Sequence, residues 1–421
     1  MVGAALTLPA LELRLAGTLR GQLVQQAPDY WSYRPLVAGP PAGLGAFWSI
    51  RQLTSITNQE TANVRAWFRH LLPDASVCHQ LAQRLGFSVG NDFALLGALG
   101  ADAPGALSLR WPGARSADPP GCLTVAEVAA LLVALRAAQP PPRIAEATAP
   151  GDAGCVPLCQ TAQGWWYPTA ERPSNVWLRA GRHGWPDAVH NEAFCLGLAA
   201  RAGVPVLASE WVQKPLPCLI TARSDRQRSG PEPVLAWVHE ENFGQIAGLA
   251  PEQAFEREGG LALRDCVALM RRHSAVPALD LRTLLRWVVF NHLVGNGLAT
   301  ARDLRFHYTA QGPRLAPFAN LLSTHVYAQV SERLGMMVGQ EDRPDWIRPA
   351  RWRGLAQELD LNAHYVLALV GELALAMPGW LAAQVQAWQA TNSWSPVLAQ
   401  VRELVLKRAR QLAVSLAAER A

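Results

Sequence analysis

Alternating and helical spacings of apolar residues divide the first part of the chain into a hairpin, several helices and a strand. Residues 11–25 alternate apolar and polar side chains around Ala16-Gly17, which is typical of a β-hairpin. From residue 61 to residue 138 the apolar residues mostly recur at helical spacing, and one segment alternates as a strand does. The predicted helices are 61–72, 76–85, 91–99 and 123–138, and the predicted strand is 105–111.

A stretch rich in proline and small residues, 139–154, is the best candidate boundary in the chain. Beyond it, short strand-like runs surround one helix: the strands are 165–168, 174–180 and 217–223, and the helix is 188–202. From about residue 240 the spacing is helical, apart from a strand at 304–308 that follows the turn Gly295-Asn296-Gly297. The last helix begins at the serine cap Ser395.

These patterns predict an α+β fold in which strands and helices come first and helices dominate the C-terminal half. An N-terminal strand-and-helix subdomain is expected first, then a helix with a proline-rich linker, then a small α/β lobe, and finally a large all-helical lobe. The expected boundaries are 1–112, 113–154, 155–228 and 229–421.

Composition is that of a globular intracellular protein. The 421 residues suffice for two or three domains, and half of them are apolar. No apolar run reaches about 18 residues without a charge or proline, and the N-terminus does not have the pattern of a signal peptide. Seven scattered cysteines indicate reduced thiols, and the close pair Cys155 and Cys159 has no further zinc ligands at the usual spacing. We therefore expect a cytoplasmic protein with no membrane contact.

The net charge is positive, and it is carried almost entirely by arginine. A net charge of +5 and a pI of about 9.0 permit contact with nucleic acid or an acidic partner without requiring it. Only two lysines are present, Lys214 and Lys407. The basic run 407–410 in the last helix is interpreted as a solvated face.

More specific information comes from a series of motifs. The segment AWFRHLLPDASVCHQLAQRLGFSVGNDFALLGALGADAPGALSL, 66–109, contains an LLPD turn, an N-x-F-x-LL run and a G-x-D-x-x-GA-L ending. The later motifs are NEAFCLGLAARAGVPV (191–206), RSDR (223–226), HEENFGQIAG (239–248), FEREGG (255–260), VVFNHLVGN (288–296) and LAPFANLLS (315–323). In these motifs and their order, the chain resembles the HipA family of toxin kinases over nearly its whole length.

The resemblance implies a HipA-like fold, with a kinase-like small lobe and a helical C-lobe. Members of the family phosphorylate serine on a protein substrate, typically an aminoacyl-tRNA synthetase, and are restrained by HipB-like helix-turn-helix antitoxins. The expected partner is therefore a HipB-like antitoxin or a cognate kinase. This chain has no recognisable helix-turn-helix segment, so we expect it to reach DNA only through a partner.

The catalytic loop departs from the family pattern G-x-x-D-x-H-x-K-N. Here the sequence GNGLATARD puts Leu298 at the aspartate, Thr300 at the histidine, Arg302 at the lysine and Asp303 at the asparagine. Leucine cannot accept a proton or orient a hydroxyl, and loss of a general base typically costs about 10²–10⁴-fold in rate. The loop is therefore expected to be inactive.

The phosphate-contacting lysine of the family is also replaced. In the T-x-I-x-K strand motif its position is held by Arg179, whose planar fork differs in shape from an ammonium group. The partner acid would be Glu192, which the sequence leaves open as either a surface carboxylate or one half of a lobe-bridging ion pair with Arg179.

Two further cofactor-binding segments diverge from the family. The phosphate loop GDAGC keeps Gly151 and Gly154 but lacks the family's glutamine and lysine. In the hinge, Ala222 and Ser224 occupy the positions of an acid and an aromatic residue, a change that could loosen the packing of adenine.

The two metal-ligand positions exchange their residue types. The family has asparagine in the catalytic loop and aspartate in the P-x-Y-D-L-L motif, whereas this chain has Asp303 and then Asn320. Both are hard oxygen ligands of the kind that Mg²⁺ accepts, so one interpretation is a weakened metal–nucleotide site. The other is drift after loss of catalysis, with Asp303 capping the turn and Asn320 bonding the backbone. ATP and Mg²⁺ are accordingly expected to bind weakly or not at all.

Taken together, the departures favour a pseudokinase that acts as a binding or regulatory module in a toxin–antitoxin type system. An active divergent HipA-type serine/threonine protein kinase that uses ATP and Mg²⁺ is the alternative, together with other nucleotide-dependent transferases. A remnant that keeps only the fold is the third interpretation.

Overall fold

The computed structural model of the protein describes residues 8–36, 61–114, 121–139, 154–169, 172–228, 235–391 and 393–419. Its secondary structure is mixed, and the α+β fold class predicted from the sequence is confirmed. Three groups of buried apolar residues form the cores of the N-terminal region, the small sheet and the C-terminal region.

The N-terminal region is a four-stranded antiparallel sheet covered by helices. Its strands are β1 (Ala10–Leu15), β2 (Thr18–Ala27), β3 (Tyr30–Pro35) and β4 (Leu107–Arg110), and their order across the sheet is β3-β2-β1-β4. Its helices are α1 (Thr61–Arg69), α2 (Ala75–Leu85) and α3 (Asp92–Leu99). The predicted hairpin is confirmed: β1 and β2 pair around Ala16 and Gly17, whose φ angles of 46° and 79° are left-handed, as tight hairpin turns require.

The next region is a five-stranded antiparallel sheet with one inserted helix. Its strands are β5 (Cys155–Thr161), β6 (Gly164–Trp166), β7 (Val176–Arg179), β8 (Ser209–Val212) and β9 (Cys218–Ala222), in the order β6-β5-β7-β9-β8. Helix α4 (Val125–Arg136) shares a core with this sheet through residues such as Leu132 and Leu178. Helix α5 (Ala188–Arg201) follows β7 and packs against β8 and β9.

The C-terminal region is predominantly helical, as predicted, but it is not all-helical. Its helices are α6 (Phe243–Ala247), α7 (Leu263–His273), α8 (Pro277–Val294), α9 (Pro349–Glu358), α10 (Ala363–Ala390) and α11 (Pro396–Ala418). It also contains a short ribbon, β10 (Arg226–Arg228) and β11 (Leu235–Trp237), and a three-stranded sheet, β12 (His239–Asn242), β13 (Arg305–Thr309) and β14 (Gly312–Leu315). Strand β12 reads HEEN and has no apolar alternation, which is why the sequence pattern did not predict it.

Among the described residues, α10 is the one helix long and apolar enough to cross a membrane by length and composition. Its inner face is buried, including Val370, Leu373 and Met377, and it packs against α5, α8, α9 and α11. This is the environment of a helix that forms part of a protein core.

Candidate functional site

A cleft of about 380 Å³ brings residues from all three regions together. The N-terminal region contributes His70 and Asp74, and β7 contributes Trp177 and Arg179. The C-terminal region contributes residues of strand β12 and of the loops on either side of β13 and β14, namely Glu240, Leu298, Thr300, Arg302, Asp303 and Asn320. Arg179 and Leu298 therefore face the same cleft, as the motif order requires.

The loop that carries Leu298 is held firmly although its expected acid is missing. Helix α8 ends at Gly295, whose φ of 71° is left-handed. The side-chain oxygen of Asn296 accepts a hydrogen bond from Leu298 N at 3.2 Å. Gly297 N donates to Thr324 Oγ1 at 2.8 Å, and a Cβ at this glycine would lie 2.6 Å from the carbonyl oxygen of Arg333. The loop thus keeps a defined shape and presents an apolar side chain to the cleft.

Arg179 and Glu192 form an ion pair that joins β7 to α5. Arg179 Nε lies 3.3 Å from Glu192 Oε2, and the two side chains are 12% and 4% exposed. Glu192 is therefore not a surface carboxylate. Leaving either charge buried without the other would be strongly destabilising, so this pair fixes the end of β7 against the helix.

A second contact of Arg179 reaches the positions assigned to metal ligands. Its Nη2 donates a hydrogen bond to Asn320 Oδ1 at 3.0 Å, and Asn320 Nδ2 donates to Asp303 Oδ1 at 3.1 Å. The other carboxylate oxygen of Asp303 accepts a hydrogen bond from Thr300 N at 2.9 Å. The result is a continuous hydrogen-bonded series from Arg179 through Asn320 to Asp303 and the catalytic loop.

These hydrogen bonds bear on the two interpretations of the exchanged residues Asp303 and Asn320, which are a weakened metal site or a turn cap beside an amide that bonds the backbone. Asp303 caps the turn at Thr300, whereas the side chain of Asn320 bonds two other side chains and not the backbone. Asn320 has a φ of 55°, a left-handed conformation that asparagine adopts more readily than most residues. Its amide therefore has a fixed position between Arg179 and Asp303.

The residues present do not fit a magnesium ion in this arrangement. Asn320 Oδ1, the atom that could bind a cation, accepts a hydrogen bond from the cationic Arg179. Both carboxylate oxygens of Asp303 accept hydrogen bonds from N–H groups. A divalent ion would have to break these contacts and lie beside a guanidinium group.

Arg302, next to Asp303 in the chain, pairs with a carboxylate of the N-terminal region. Its Nη2 lies 3.6 Å from Asp74 Oδ1, and its Nη1 donates to the carbonyl oxygen of Pro251 at 3.3 Å. The ion pair links the catalytic loop to the turn before α2, so the N-terminal region forms one wall of the cleft.

The remaining predicted residues lie around the edge of the cleft or outside the described chain. Gly151 lies outside the described residues, while Gly154 precedes β5 and its carbonyl accepts a hydrogen bond from Ala180 N at 3.0 Å. Ala222 ends β9, and Ser224 Oγ lies 3.1 Å from His307 Nε2. Neither of these two is among the residues that line the cleft.

The RSDR motif beside them has a role that the sequence did not reveal. Arg223 and Arg226 each contact both Asp225 and Asp102, at distances between 2.6 and 3.1 Å, and all four side chains are buried. Burial alone would raise the pKa of Asp225, but Arg223 and Arg226 beside it hold that pKa well below its ordinary value. Asp102 belongs to the N-terminal G-x-D-x-x-GA-L motif, so the two motifs meet in one ionic cluster that anchors the N-terminal region to the hinge.

A second anchor joins α1 to the three-stranded sheet. Trp67 Nε1 donates to Glu241 Oε1 at 3.1 Å, and the Tyr308 hydroxyl donates to Glu241 Oε2. His70 lies nearby, with Nε2 3.0 Å from the carbonyl oxygen of Leu249, and burial lowers the pKa of His70 to about 4. The N-terminal region therefore contacts both the RSDR segment and the three-stranded sheet of the C-terminal region.

Behind the catalytic loop lies an arginine from the last helix. Arg408 Nη2 lies 2.9 Å from His325 Nδ1, and Arg408 Nη1 donates to the carbonyl oxygen of His292 at 3.3 Å. Burial lowers the pKa of Arg408 to about 10. Lys407 and Arg410 are exposed, as expected of a solvated face, whereas Arg408 is half-buried and points inward.

The fold and the cleft together define a two-lobed protein of the kinase type with an additional N-terminal region. A family model described as HipA-like C-terminal domain matches residues 167–381, and one described as HipA N-terminal domain matches residues 11–110. The chain belongs to the HipA family, as the motifs indicated.

Relatives and a solved structure agree with this assignment. The protein “Putative kinase Y4mE” of Sinorhizobium fredii is 33% identical over 304 residues, which are 70% of this chain and 72% of that protein. The serine/threonine-protein kinase toxin HipA of Shewanella oneidensis is 25% identical over 326 residues, 73% of this chain and 74% of the toxin. A solved complex of HipA, HipB and operator DNA from Shewanella oneidensis MR-1 contains a chain with a TM-score of 0.76 at 19% identity, covering 96% of this chain and 98% of that one. The structural likeness shows a common fold.

Proposed function

We propose that the protein is a HipA-family pseudokinase that acts as a binding or regulatory module in a toxin–antitoxin type system. The observation that carries the proposal is Leu298, which lines the cleft at the position that the family motif gives to the catalytic aspartate. Without a carboxylate there, nothing orients the attacking hydroxyl or accepts its proton, at a cost of about 10²–10⁴-fold.

The polar residues of the cleft support inactivity independently of Leu298. Phosphoryl transfer depends on positioning and on metal ions that neutralise the developing charge. Here Asp303 and Asn320 are hydrogen-bonded to each other, and Arg179 is bonded to Asn320. ATP and Mg²⁺ are therefore proposed to support no transfer, and Mg²⁺ to bind weakly or not at all.

An active divergent kinase is the alternative, and one observation favours it. Three carboxylates, Asp74, Glu240 and Asp303, still line the cleft. Asp74, however, pairs with Arg302 at 3.6 Å, Glu240 pairs with Arg305 at 3.3 Å, and Asp303 accepts hydrogen bonds on both oxygens. Each carboxylate already has a structural partner, so we prefer the pseudokinase.

The mass of the intact protein after incubation with ATP and Mg²⁺ or Mn²⁺ distinguishes these two functions. We expect no phosphate to be added to the protein or to a helix-turn-helix partner present in the mixture. A phosphate adduct that disappears in Asp303→Ala would overturn the pseudokinase proposal and favour the alternative.

The proposed partner is a HipB-like helix-turn-helix antitoxin, with a cognate HipA kinase as the second candidate. The support is the retention of the whole fold: a HipA chain whose fold this protein shares occurs in a complex with HipB and operator DNA. DNA would then be reached through the partner. We also propose a cytoplasmic location, because all seven cysteines lie in the described residues and none forms a disulfide.

Partner binding is tested by co-expression with a helix-turn-helix protein encoded beside this gene, followed by size-exclusion chromatography. We expect one complex, formed equally well by the wild type and by the cleft variant Asp303→Ala, because binding would use the outer surface. An unrelated helix-turn-helix protein is the control. Separate elution at micromolar concentrations of both proteins would contradict the antitoxin assignment.

A further inference from the structure

We infer that the outward face of the N-terminal sheet, together with a groove beside β4, binds single-stranded RNA. The groove shares no lining residue with the cleft, so this surface is independent of whether the cleft transfers phosphate. Three features of the described residues point to this ligand: the charge of the four strands, the position of that charge across the sheet, and the aromatic side chains of the groove.

The charge of the strands is strongly positive. Each of the four strands carries one arginine, and together they carry one carboxylate: the arginines are Arg14, Arg20, Arg34 and Arg110, and the carboxylate is Glu12. Among the described residues, Glu12 pairs with Arg14 at 3.1 Å, and no carboxylate pairs with the other three arginines. Four arginines against one glutamate give these strands a net charge of +3, whereas the whole chain carries +5. A surface of this sign attracts a polyanion.

The strand register places the charge on the side of the sheet that faces away from the core. Leu13 of β1 is buried, so the neighbouring Glu12 points outward. Arg110 lies opposite Glu12 on one side, and Gln22 lies opposite Glu12 on the other, with Arg34 next in the same row. Arg34 and Arg110 therefore stand on the two edge strands of the sheet, about 14 Å apart at the usual strand spacing. A phosphate backbone that crosses the strands would meet both.

Neutral polar side chains lie between the arginines on this face. Gln22 separates Glu12 from Arg34, and Ser108 lies opposite Arg14. An amide and a hydroxyl can each donate and accept a hydrogen bond, as the 2′-hydroxyl of RNA also does. The face therefore offers arginines for phosphates and matched polar groups for ribose, which favours RNA over DNA.

The groove beside β4 adds aromatic surface. It has a volume of about 440 Å³ and is lined by Trp111 and Trp237, of which Trp111 is 36% exposed. Arg14 and Arg110 line the same groove, and Glu12 is the one carboxylate among its described lining residues. Single-stranded bases stack on aromatic rings while their phosphates lie on adjacent cations. An acidic polypeptide would pair with the arginines but would bring no planar base to the tryptophans.

Fluorescence anisotropy of a labelled oligouridine, titrated with the full chain, tests the inference. A length of about 20 nucleotides exceeds the usual site size of about 4–16 nucleotides for one single-strand-binding domain. We expect micromolar binding that weakens as salt rises from about 50 to about 200 mM, because arginine–phosphate contacts release counterions. In Arg34→Gln/Arg110→Gln the dissociation constant at low salt should rise at least about tenfold. The slope of log K against log salt should become shallower by about 1.4, or about 0.7 for each lost phosphate contact.

The double variant Arg264→Gln/Arg402→Gln is the matched control. It makes the same change in net charge on α7 and α11, where the two side chains are 70% and 40% exposed. It should bind oligouridine as the wild type does. Thermal unfolding of every variant is measured alongside. If Arg110→Gln perturbs the fold, Arg34→Gln alone carries the test, because Arg34 is exposed, and its slope should change by about 0.7.

Oligodeoxyuridine of the same length, duplex RNA and polyglutamate distinguish the ligand classes. Weaker binding of all three than of oligouridine supports the inference. Equal binding of oligodeoxyuridine would overturn the assignment to RNA, equal binding of the duplex would overturn the assignment to a single strand, and equal or tighter binding of polyglutamate would assign the face to an acidic protein segment.

Two outcomes would overturn the inference as a whole. One is the absence of oligouridine binding at up to about 100 μM protein in low salt. The other is an equal loss of binding in the two double variants, which would mean that only the net charge of the chain matters. Both leave the pseudokinase proposal standing, because that proposal fails only if phosphate is transferred.

Discussion

Arg179 and Asn320 lie 141 residues apart in the chain, and a 3.0 Å hydrogen bond joins the guanidinium of the first to the amide oxygen of the second. In the family pattern these positions belong to a phosphate-binding lysine and a metal-binding aspartate. Here the Arg179 guanidinium donates a hydrogen bond to Asn320 Oδ1, the atom that could otherwise bind a metal ion. The two side chains are therefore in direct contact, and the amide oxygen of Asn320 is engaged by a cationic side chain.

Restoring two of the family residues together should not restore catalysis. We expect Leu298→Asp combined with Arg179→Lys to remain inactive, because Asp303 and Asn320 stay exchanged and hydrogen-bonded to each other. Phosphoryl transfer from labelled ATP in the presence of Mg²⁺ is the measurement. The Shewanella oneidensis HipA kinase, assayed in parallel, serves as the positive control. Transfer by the double variant at a rate comparable with that control would show that the exchanged pair supports metal binding after all.

The ionic cluster at the hinge should be sensitive to loss of one carboxylate. Asp102→Ala removes one of the two carboxylates that pair with Arg223 and Arg226, at a site where Asp102 is 3% exposed, and it leaves Asp225 as the remaining carboxylate of the cluster. We expect the free energy of unfolding to fall by about 3–5 kcal/mol. Urea denaturation followed by circular dichroism measures this change.

Asp29→Ala is the control for that variant, because it also breaks a contact with an arginine, Arg65, but its side chain is 81% exposed. Its expected effect is below about 1 kcal/mol. Equal effects of the two substitutions would mean that the hinge cluster contributes no more than a surface pair.

Buried neutral histidines should make stability fall as the pH decreases. Burial, with smaller contributions from Arg408, lowers the pKa of His292 to about 3 and of His325 to about 4. At pH above about 6.5 these groups are neutral in both states, and below it the unfolded chain binds protons that the folded chain does not. Each histidine should therefore cost up to about 1.4 kcal/mol per pH unit below 6.5, until the pH reaches its folded pKa.

Thermal unfolding between pH 7.5 and 5.5 measures this effect in a range where carboxylates contribute little. His292→Gln should show a shallower loss of stability with falling pH than the wild type, whereas His183→Gln, at an exposed position, should follow the wild type. An unchanged slope in His292→Gln would mean that its ring accepts a proton without cost in the folded state.

The elements of the fold could be predicted where local spacing determines them. The hairpin at Ala16-Gly17, the helix ending at Gly295 and the serine cap at Ser395 all depend on short-range chemistry, and the structure has each of them. Strand β12 could not be predicted, because Glu240 and Glu241 are buried through partners distant in the chain, including Arg305 and Trp67.

In the cleft, too, some features could be predicted from the sequence and others could not. Motif order predicted that Arg179, Leu298, Asp303 and Asn320 would meet, and they line one cleft. Motif order could not predict which of them would bond to which, because that depends on side-chain length and on the left-handed backbone at Asn320. Asp102 was visible in a quoted motif, but its role depends on contacts with Arg223 and Arg226, more than a hundred positions away.

The most direct test of the account is transfer of labelled phosphate from ATP, with Mg²⁺ or Mn²⁺, to the protein itself and to its co-purified partner. We predict no incorporation above that of heat-denatured protein, in the wild type and equally in Asp303→Ala and Arg179→Ala. Reproducible incorporation by the wild type that is lost in both variants would contradict it, because the cleft would then be a working kinase site despite Leu298.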